Sequence, residues 1–424
     1  MVPLAVGIDI GTSGSRAVAM RPDFSIAAST AAPLDRFGAN GRDPAVWWAA
    51  VEATLRELFS QIDRGAVRTI AVDGTSGTLL PIDGAGRPLA EPLMYNDKVP
   101  DAAILAAIDG AAPEASAAHG ATSGLAKALW FQRLPDIHAV LHQADWIAGQ
   151  LSGRFDVSDE NNSLKTGYDA EACRWPEWIA ATGMRMELLP AVVRPGSVTA
   201  RLTAAAAGLF GLPRDVAVVA GTTDGCASFL ATGAVAAGDG VTALGSSLTI
   251  KILSDRPIFA PRYGIYSHRL GDAWLAGGAS NTGGKVLAQH FSLARIIELS
   301  AAIDPATETG LDYYPLGSPG ERFPIADPAL QPRLLPQPQS DADHLKAMLE
   351  GIAAIEALGY RRLAELGAPP LTSVRSVGGG AANAAWTAIR QRKLGVEFRP
   401  ALSDEAAAGT ARLALKGASE AGLL

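Results

Sequence analysis

The chain opens on two short runs in which apolar and other residues take turns. Val6, Ile8 and Ile10 interleave with Ala5, Gly7 and Asp9, and the pattern resumes at Ser15–Met20 after Gly11-Thr12-Ser13-Gly14. A two-residue period marks a strand and a Gly- and hydroxyl-rich break marks a tight turn, so residues 4–20 read as a β-hairpin. The period then changes. After Asp43-Pro44, apolar side chains recur at Trp47, Trp48, Val51, Leu55, Leu58, Phe59 and Ile62, predicting a helix capped by Asp43 and ended by Gly65. A strand over 67–72 runs into Asp73-Gly74-Thr75-Ser76-Gly77-Thr78, with another strand over 79–82. A helix over 142–151 stops at Gly153, and the polar, turn-rich stretch 155–169 reads as an active-site loop.

Farther on, a strand over 216–219 leads into Gly221-Thr222-Thr223-Asp224-Gly225 and an apolar helix over 226–232. Residues 240–250 then repeat the opening design: strand, Gly245-Ser246-Ser247 turn, strand. Two hairpins of one form predict two related domains, 1–233 and 234–424, facing a shared cleft, the last helix able to pack back on the first domain. Pro- and Gly-rich residues 305–340 read as loop. Asp341–Leu366 reads as one long amphipathic helix that Gly359 is expected to bend. A strand over 374–377 enters Gly378-Gly379-Gly380 and a helix through Asn383, Trp386 and Ile389, and 404–416 is a final Ala-rich helix. Strands alternating with helices in both halves define the α/β class.

Composition narrows the function. A chain of 424 residues, 48% hydrophobic and 19% charged, is long enough for two cores and is not disordered. A net charge of −7 provides no basic footprint, which argues against a nucleic-acid partner. Cys173 and Cys226 are the only cysteines, as suits a reducing cytoplasm without zinc or disulfides. No basic leader-like segment opens the chain, and the most apolar long stretch, 216–237, carries Asp224 in its middle, so neither a signal peptide nor a membrane span is expected. GASNTGGK at 278–285 departs from a P-loop, because its first glycine is displaced and Val286 stands where Ser or Thr is needed. No Gly-x-Ser-x-Gly elbow is present, and His142, His268 and His290 lack metal-ligand spacing.

The remaining features suit phosphoryl transfer. Asp9 stands just before Gly11, Thr12 and Ser13, whose backbone amides and hydroxyls can hold a polyphosphate while the carboxylate holds Mg²⁺. An alcohol is a weak nucleophile near neutral pH, and Asp224, flanked by small residues at a helix start, suits the task of taking its proton. Gly379 and Gly380 allow close approach to a base or ribose, and Asn383 and Trp386 share a helix face that could border adenine. Gly283-Gly284 reads as a loop of the nucleotide cleft. Each assignment has a structural alternative: Asp224 as a plain N-cap, Asp9 as a buried carboxylate, Trp386 as core.

Taken together, GIDIGTSGSR, YND at 95–97, DWIAGQLSG, AGTTDGCAS, ALGSSLTI, GERFPIADP and VGGGAANAAW occur in the order seen in the FGGY carbohydrate kinases, and the chain resembles that family of actin-like ATPases over nearly its whole length. The resemblance implies two ribonuclease-H-like domains, each a mixed five-stranded sheet flanked by helices, around a central cleft. It implies ATP and Mg²⁺ as cofactors and a polyol or ketose as acceptor, with no nucleic-acid or membrane partner, in a cytoplasmic monomer or homodimer. Residue by residue, Asp224 is the implied catalytic base, and Asp9, Ser76, Asp97 and Asp224 the implied sugar contacts. Gly11, Thr12, Ser13, Gly245, Ser246, Gly283, Gly379, Gly380, Asn383 and Trp386 are the implied ATP contacts, and Asp9 and Asp224 the implied metal carboxylates. The turn DGTSGT at 73–78 replaces the Gln-Met-His-Gly turn of typical xylulose kinases. With YND and the short length, it is similar to a compact branch acting on D-ribulose. D-xylulose or another polyol, an ATPase with weak sugar kinase activity, and an actin-like scaffold are the alternatives.

Overall fold

The computed structural model describes residues 2–424 and divides into two compact units. The first runs to Ala231 and adds His268–Gly271 and Glu405–Leu424; the second holds Thr232–Ser267 and Asp272–Asp404. The strands used below are β1 (Leu4–Ile10), β2 (Gly14–Met20), β3 (Ile26–Pro33), β4 (Val67–Gly74), β5 (Val198–Arg201), β6 (Ala217–Thr223), β7 (Asp239–Leu244), β8 (Leu248–Ser254), β9 (Ala273–Ala279), β10 (Ser373–Val377) and β11 (Glu397–Arg399). The helices are α1 (Pro44–Ser60), α2 (Gly124–Phe131), α3 (Gln143–Ser152), α4 (Asp224–Ala231), α5 (Asp341–Glu365), α6 (Ala384–Leu394) and α7 (Ala406–Glu420).

In the first unit the sheet order is β3-β2-β1-β4-β6-β5. The opening hairpin is antiparallel, whereas β1, β4 and β6 run parallel through the middle. Strands covered on both faces read as continuous apolar runs, and every residue of β1 is buried. α1 covers one face: Asp43 caps it by accepting from the Ala45 amide, and Trp47, Val51 and Leu55 join Ile8, Ile10 and Val72 in one core. The other face receives α7, whose Ala407, Ala411 and Ala414 pack on Ala5, Val18 and Ala71. Small residues let this helix come close; a Cβ at Gly409 would stand 1.8 Å from the Ala227 carbonyl oxygen. The edge strand β5 makes this a six-stranded sheet, one more than the resemblance implies.

In the second unit five strands run β9-β8-β7-β10-β11, with the same alternation of one antiparallel hairpin and a parallel inner pair. α5 is continuous over 25 residues. Gly359 therefore does not break it; a Cβ there would lie 2.6 Å from Ile250 Cδ1, so the glycine makes room for the sheet.

Residues 155–169, expected as a polar active-site loop, form a short strand, Val157–Asp159, and a short helix, Glu160–Ser163, with their polar side chains buried. Ser158, Asp159, Asn161, Asn162, Ser163 and Thr166 are all at most 2% exposed. The polar groups satisfy one another: Asp159 accepts from the Asn161 and Asn162 amides and from Asn162 Nδ2. Asn161 Nδ2 donates to Thr222 Oγ1 at 2.9 Å and to the Arg269 carbonyl at 2.9 Å, while the Arg269 amide returns a bond to Asn161 Oδ1 at 2.8 Å. Buried polar groups persist only when paired in this way.

Candidate active site

Three parallel strands of the first unit reach the same level with a carboxylate at or just beyond the end. Asp9 of β1 is in register with Asp73 of β4, and Asp73 with Thr222 of β6, two residues before Asp224. Ligands of parallel α/β sheets bind at this carboxyl end of the strands. Asp9 is 6% exposed and Asp73 fully buried. Asp224 opens α4 and accepts from the Gly225 amide through Oδ1 at 2.7 Å.

Burial and neighbouring charge set the electrostatics of these groups. Burial raises the Asp9 pKa above the ordinary aspartate value. The neighbouring Asp73 side chain and the charge of Arg16 oppose that rise, and the negative charge of Asp224 adds to it. Arg16 Nη1 reaches Asp9 Oδ2 at 3.4 Å. Asp73 is pushed well above the ordinary value by burial, with the Asp9 charge next in size; the Thr410 hydroxyl donates to its Oδ2. Asp73 Oδ1 is buried without a partner. Asp9 and Asp224, 215 positions apart by number, are thus brought into one carboxylate cluster.

Asp73 itself is a site feature that the sequence reading missed. A charged residue following the apolar Ile70-Ala71-Val72, directly before a Gly-hydroxyl turn, repeats the pattern by which Asp9 stands out. That repetition is the signal in the chain that could have found it.

The fit to a metal follows from the donor set. No group of three or more His, Cys, Asp or Glu placed to hold a metal occurs among the described residues, so a closed protein cage is absent. Mg²⁺ needs only one or two carboxylates together with phosphate oxygens and water. Asp9 and Asp224 supply hard oxygen donors with mutual repulsion that a divalent cation would relieve.

The residues expected from the sequence to contact the sugar, Ser76 and Asp97, lie in the same unit. Ser76 is half-buried in the turn 75–78, which is braced at the Thr75 amide by Gln143 Oε1 at 3.1 Å. Asp97 takes a two-pronged bond from Arg42, Nη1 to Oδ2 at 2.8 Å and Nη2 to Oδ1 at 3.0 Å, and also accepts from the Met94 amide. Burial works against its charge, and Arg42 and the Met94 amide overcome it, leaving the carboxyl below the usual range. Asp97 is therefore engaged by protein groups at both oxygens, and its acceptor capacity toward a sugar is what remains beyond them.

In the second unit the glycine turns converge. The Gly284 amide donates to the Gly245 carbonyl at 2.9 Å and the Lys285 amide to the Ser246 carbonyl at 3.1 Å. Gly283 has φ 137° and a Cβ there would be 2.8 Å from the Ser246 carbonyl oxygen. Gly378 has φ 83°, with Leu244 O 2.9 Å from its Cβ position. Gly245, Ser246, Gly283, Gly379 and Gly380 thus sit around the end of β7. Gly284 begins a helix over Gly284–His290 rather than continuing a loop. Asn383 caps α6 by accepting from the Trp386 amide at 3.0 Å and donates Nδ2 to Ser300 Oγ. Trp386 is only 2% exposed and belongs to the core, with its ring beneath Gly380. It supports the glycine turn and does not present a face to adenine.

Residues 4–231 match the FGGY family of carbohydrate kinases, N-terminal domain, and residues 234–418 match the C-terminal domain of that family. The chain belongs to the FGGY carbohydrate kinases. It is 25% identical to the xylulose kinase of Escherichia coli K12 over 436 aligned positions, covering 96% of this chain and 89% of that one. In fold it is similar to xylulose kinase from Rhodospirillum rubrum (TM-score 0.82, 24% identity, 98% and 90% of the two chains). It is similar as well to gluconate kinase from Lactobacillus acidophilus (TM-score 0.82, 16% identity, 99% and 90% of the two chains). As an FGGY member it is an ATP-dependent sugar kinase with two α/β domains of the actin-like ATPase fold. No helix among the described residues is long and apolar enough to cross a membrane.

Proposed function

We propose that this kinase phosphorylates the terminal hydroxyl of a ketopentose, with D-ribulose as the acceptor and D-ribulose 5-phosphate as the product. The observation that carries the reading is the cluster of Asp9 and Asp224 at the strand ends of the first unit. Asp224, half-buried between small residues, takes the proton of the attacking hydroxyl, and Asp9, held by Arg16, orients the acceptor. Mg²⁺ would be held by Asp9 and Asp224, supplying charge neutralisation at the transferred phosphoryl. The amides and hydroxyls of Gly11, Thr12, Ser13, Gly245 and Ser246 oppose phosphate charge, while Gly379 and Gly380 leave room for the nucleoside and Asn383 holds the helix start beside it. The turn 73–78 and Tyr95-Asn96-Asp97 support a pentulose like D-ribulose, and the xylulose kinase relatives make D-xylulose the second reading.

The test is ADP release from MgATP with D-ribulose, D-xylulose, aldopentoses and glycerol in parallel. Stimulation by D-ribulose above the others is the expected result. Preference for D-xylulose selects the second reading, and hydrolysis indifferent to every sugar overturns both.

A further inference from the structure

Lys127 stands alone in an apolar helix, GLAKALWF, and is 0% exposed. A buried ammonium needs partners, and this one has two backbone carbonyls: Nζ donates to Gly77 O at 2.7 Å and to Met94 O at 2.7 Å. Gly77 directly follows Ser76. Met94 opens the segment that carries Asp97, and the Met94 amide itself donates to Asp97. One side chain therefore joins, through single bonds, the two segments from which the sugar contacts of the proposed reading come. A second tie is parallel to it, with the Tyr95 amide donating to Thr78 Oγ1 at 3.1 Å. The surroundings agree with a fixed cation: burial brings its pKa down to about 8, the Asp97 charge opposes that fall, and Lys165, whose chain lies over Gly77, adds to it.

We propose that Lys127 is a positioning residue for acceptor discrimination, setting the separation between Ser76 and Asp97 without touching the sugar. The inference rests on the ketopentose kinase reading. Hydroxyl stereochemistry is read by side-chain placement, and a shift of about 1 Å in such groups costs up to about 10²-fold. The two carbonyls bonded by Lys127 are what keep that placement. Its effect belongs on the acceptor side alone, because its bonds reach no residue of the nucleotide turns.

The experiment compares wild type, Lys127→Met and Thr78→Val for sugar KM, MgATP KM, kcat, and the ratio of kcat/KM between D-ribulose and D-xylulose. Lys127→Met keeps the apolar stem and removes the donors. Thr78→Val removes the parallel tie while leaving the lysine, so the claim stays testable should the first variant fail to fold. Expected in both is a rise of about tenfold in sugar KM, a ratio moved toward unity, and MgATP KM within about twofold of wild type. Combining either change with Ser76→Ala should add less than the two effects separately, since they act through one contact. Unchanged sugar KM and ratio, whatever happens to thermal stability, overturn the inference. So does an equal loss in both KM values, which would mark a general packing role. A wild-type enzyme that phosphorylates no pentulose overturns the functional reading first and the inference with it.

Discussion

The two hairpin turns of this enzyme share a design and differ two residues before the glycine that opens each turn. In the first unit the strand before the turn carries Asp9, in parallel register with Asp73; in the second unit the corresponding residue is Ala243, in register with Val377. Around Asp9 the structure gathers carboxylates and an arginine. Around Ala243 it gathers glycines whose missing side chains let the turns come close. Under the proposed function, the first turn would act on the reacting oxygens and the second would accept the phosphate chain. A repeated fold thus becomes an asymmetric device through a few side chains, with the sheet order nearly conserved.

Four changes sharpen or break that contrast. The largest effect is expected for Asp9→Asn, which removes a charge from the acidic end while keeping the side-chain shape. Sugar-dependent turnover should fall about 10²-fold and the Mg²⁺ concentration for half-maximal rate should rise, as a steady-state titration would read. A variant with wild-type turnover would erase the chemical distinction between the turns.

Next in size is an effect on stability. Burial first, then the neighbouring Asp145 charge, pushes the Asp159 carboxyl from its ordinary 3.8 up to about 7. The folded state therefore keeps a proton that the unfolded chain releases near pH 4, so stability falls as pH rises from about 4 to about 7 and then levels. Asp159→Asn, which keeps an N-cap acceptor, should remove that slope. Urea unfolding should show the variant gaining on wild type by a few kcal/mol across the interval, on the order that such a shift implies. Parallel curves at pH 4 and pH 8 would contradict it.

On the glycine side, Gly378→Ala places a Cβ 2.9 Å from Leu244 O at φ 83°. Strain of this kind, about 1–3 kcal/mol, should raise the ATP KM about tenfold with the sugar KM unchanged. The smallest effect belongs to Trp386→Phe. Its Nε1 is buried without a partner, so the loss of that donor removes no bond, and ATP KM should stay within about twofold. A large rise would return the indole to the nucleotide site.

Much of this was legible in the chain because local pattern and global fold agree. Residues 4–20, with apolar residues at every second position, could bury a face only as a strand pair, and the steps from Trp47 to Ile62 could bury a stripe only as a helix. The position of Asp224 between a strand and a helix was legible because the small residues Gly221 to Thr223 end one apolar run and Cys226 opens the next. What escaped depended on partners remote in sequence. Residues 158–166 look solvated until Thr222 and Arg269 are placed beside Asn161. Lys127 looks like an intrusion until Gly77 and Met94 arrive to satisfy it. Trp386, three residues from Asn383, shares its helix face by spacing, but only the packing under Gly380 shows that the face points inward.

The central claim is that Asp224 takes the acceptor proton. Its most direct measurement is single-turnover phosphoryl transfer by Asp224→Asn, with D-ribulose and MgATP both saturating and sugar binding measured alongside. The account predicts a folded variant that still binds the sugar and transfers phosphate slower by about 10²-fold or more. Transfer at a near-normal rate would contradict it.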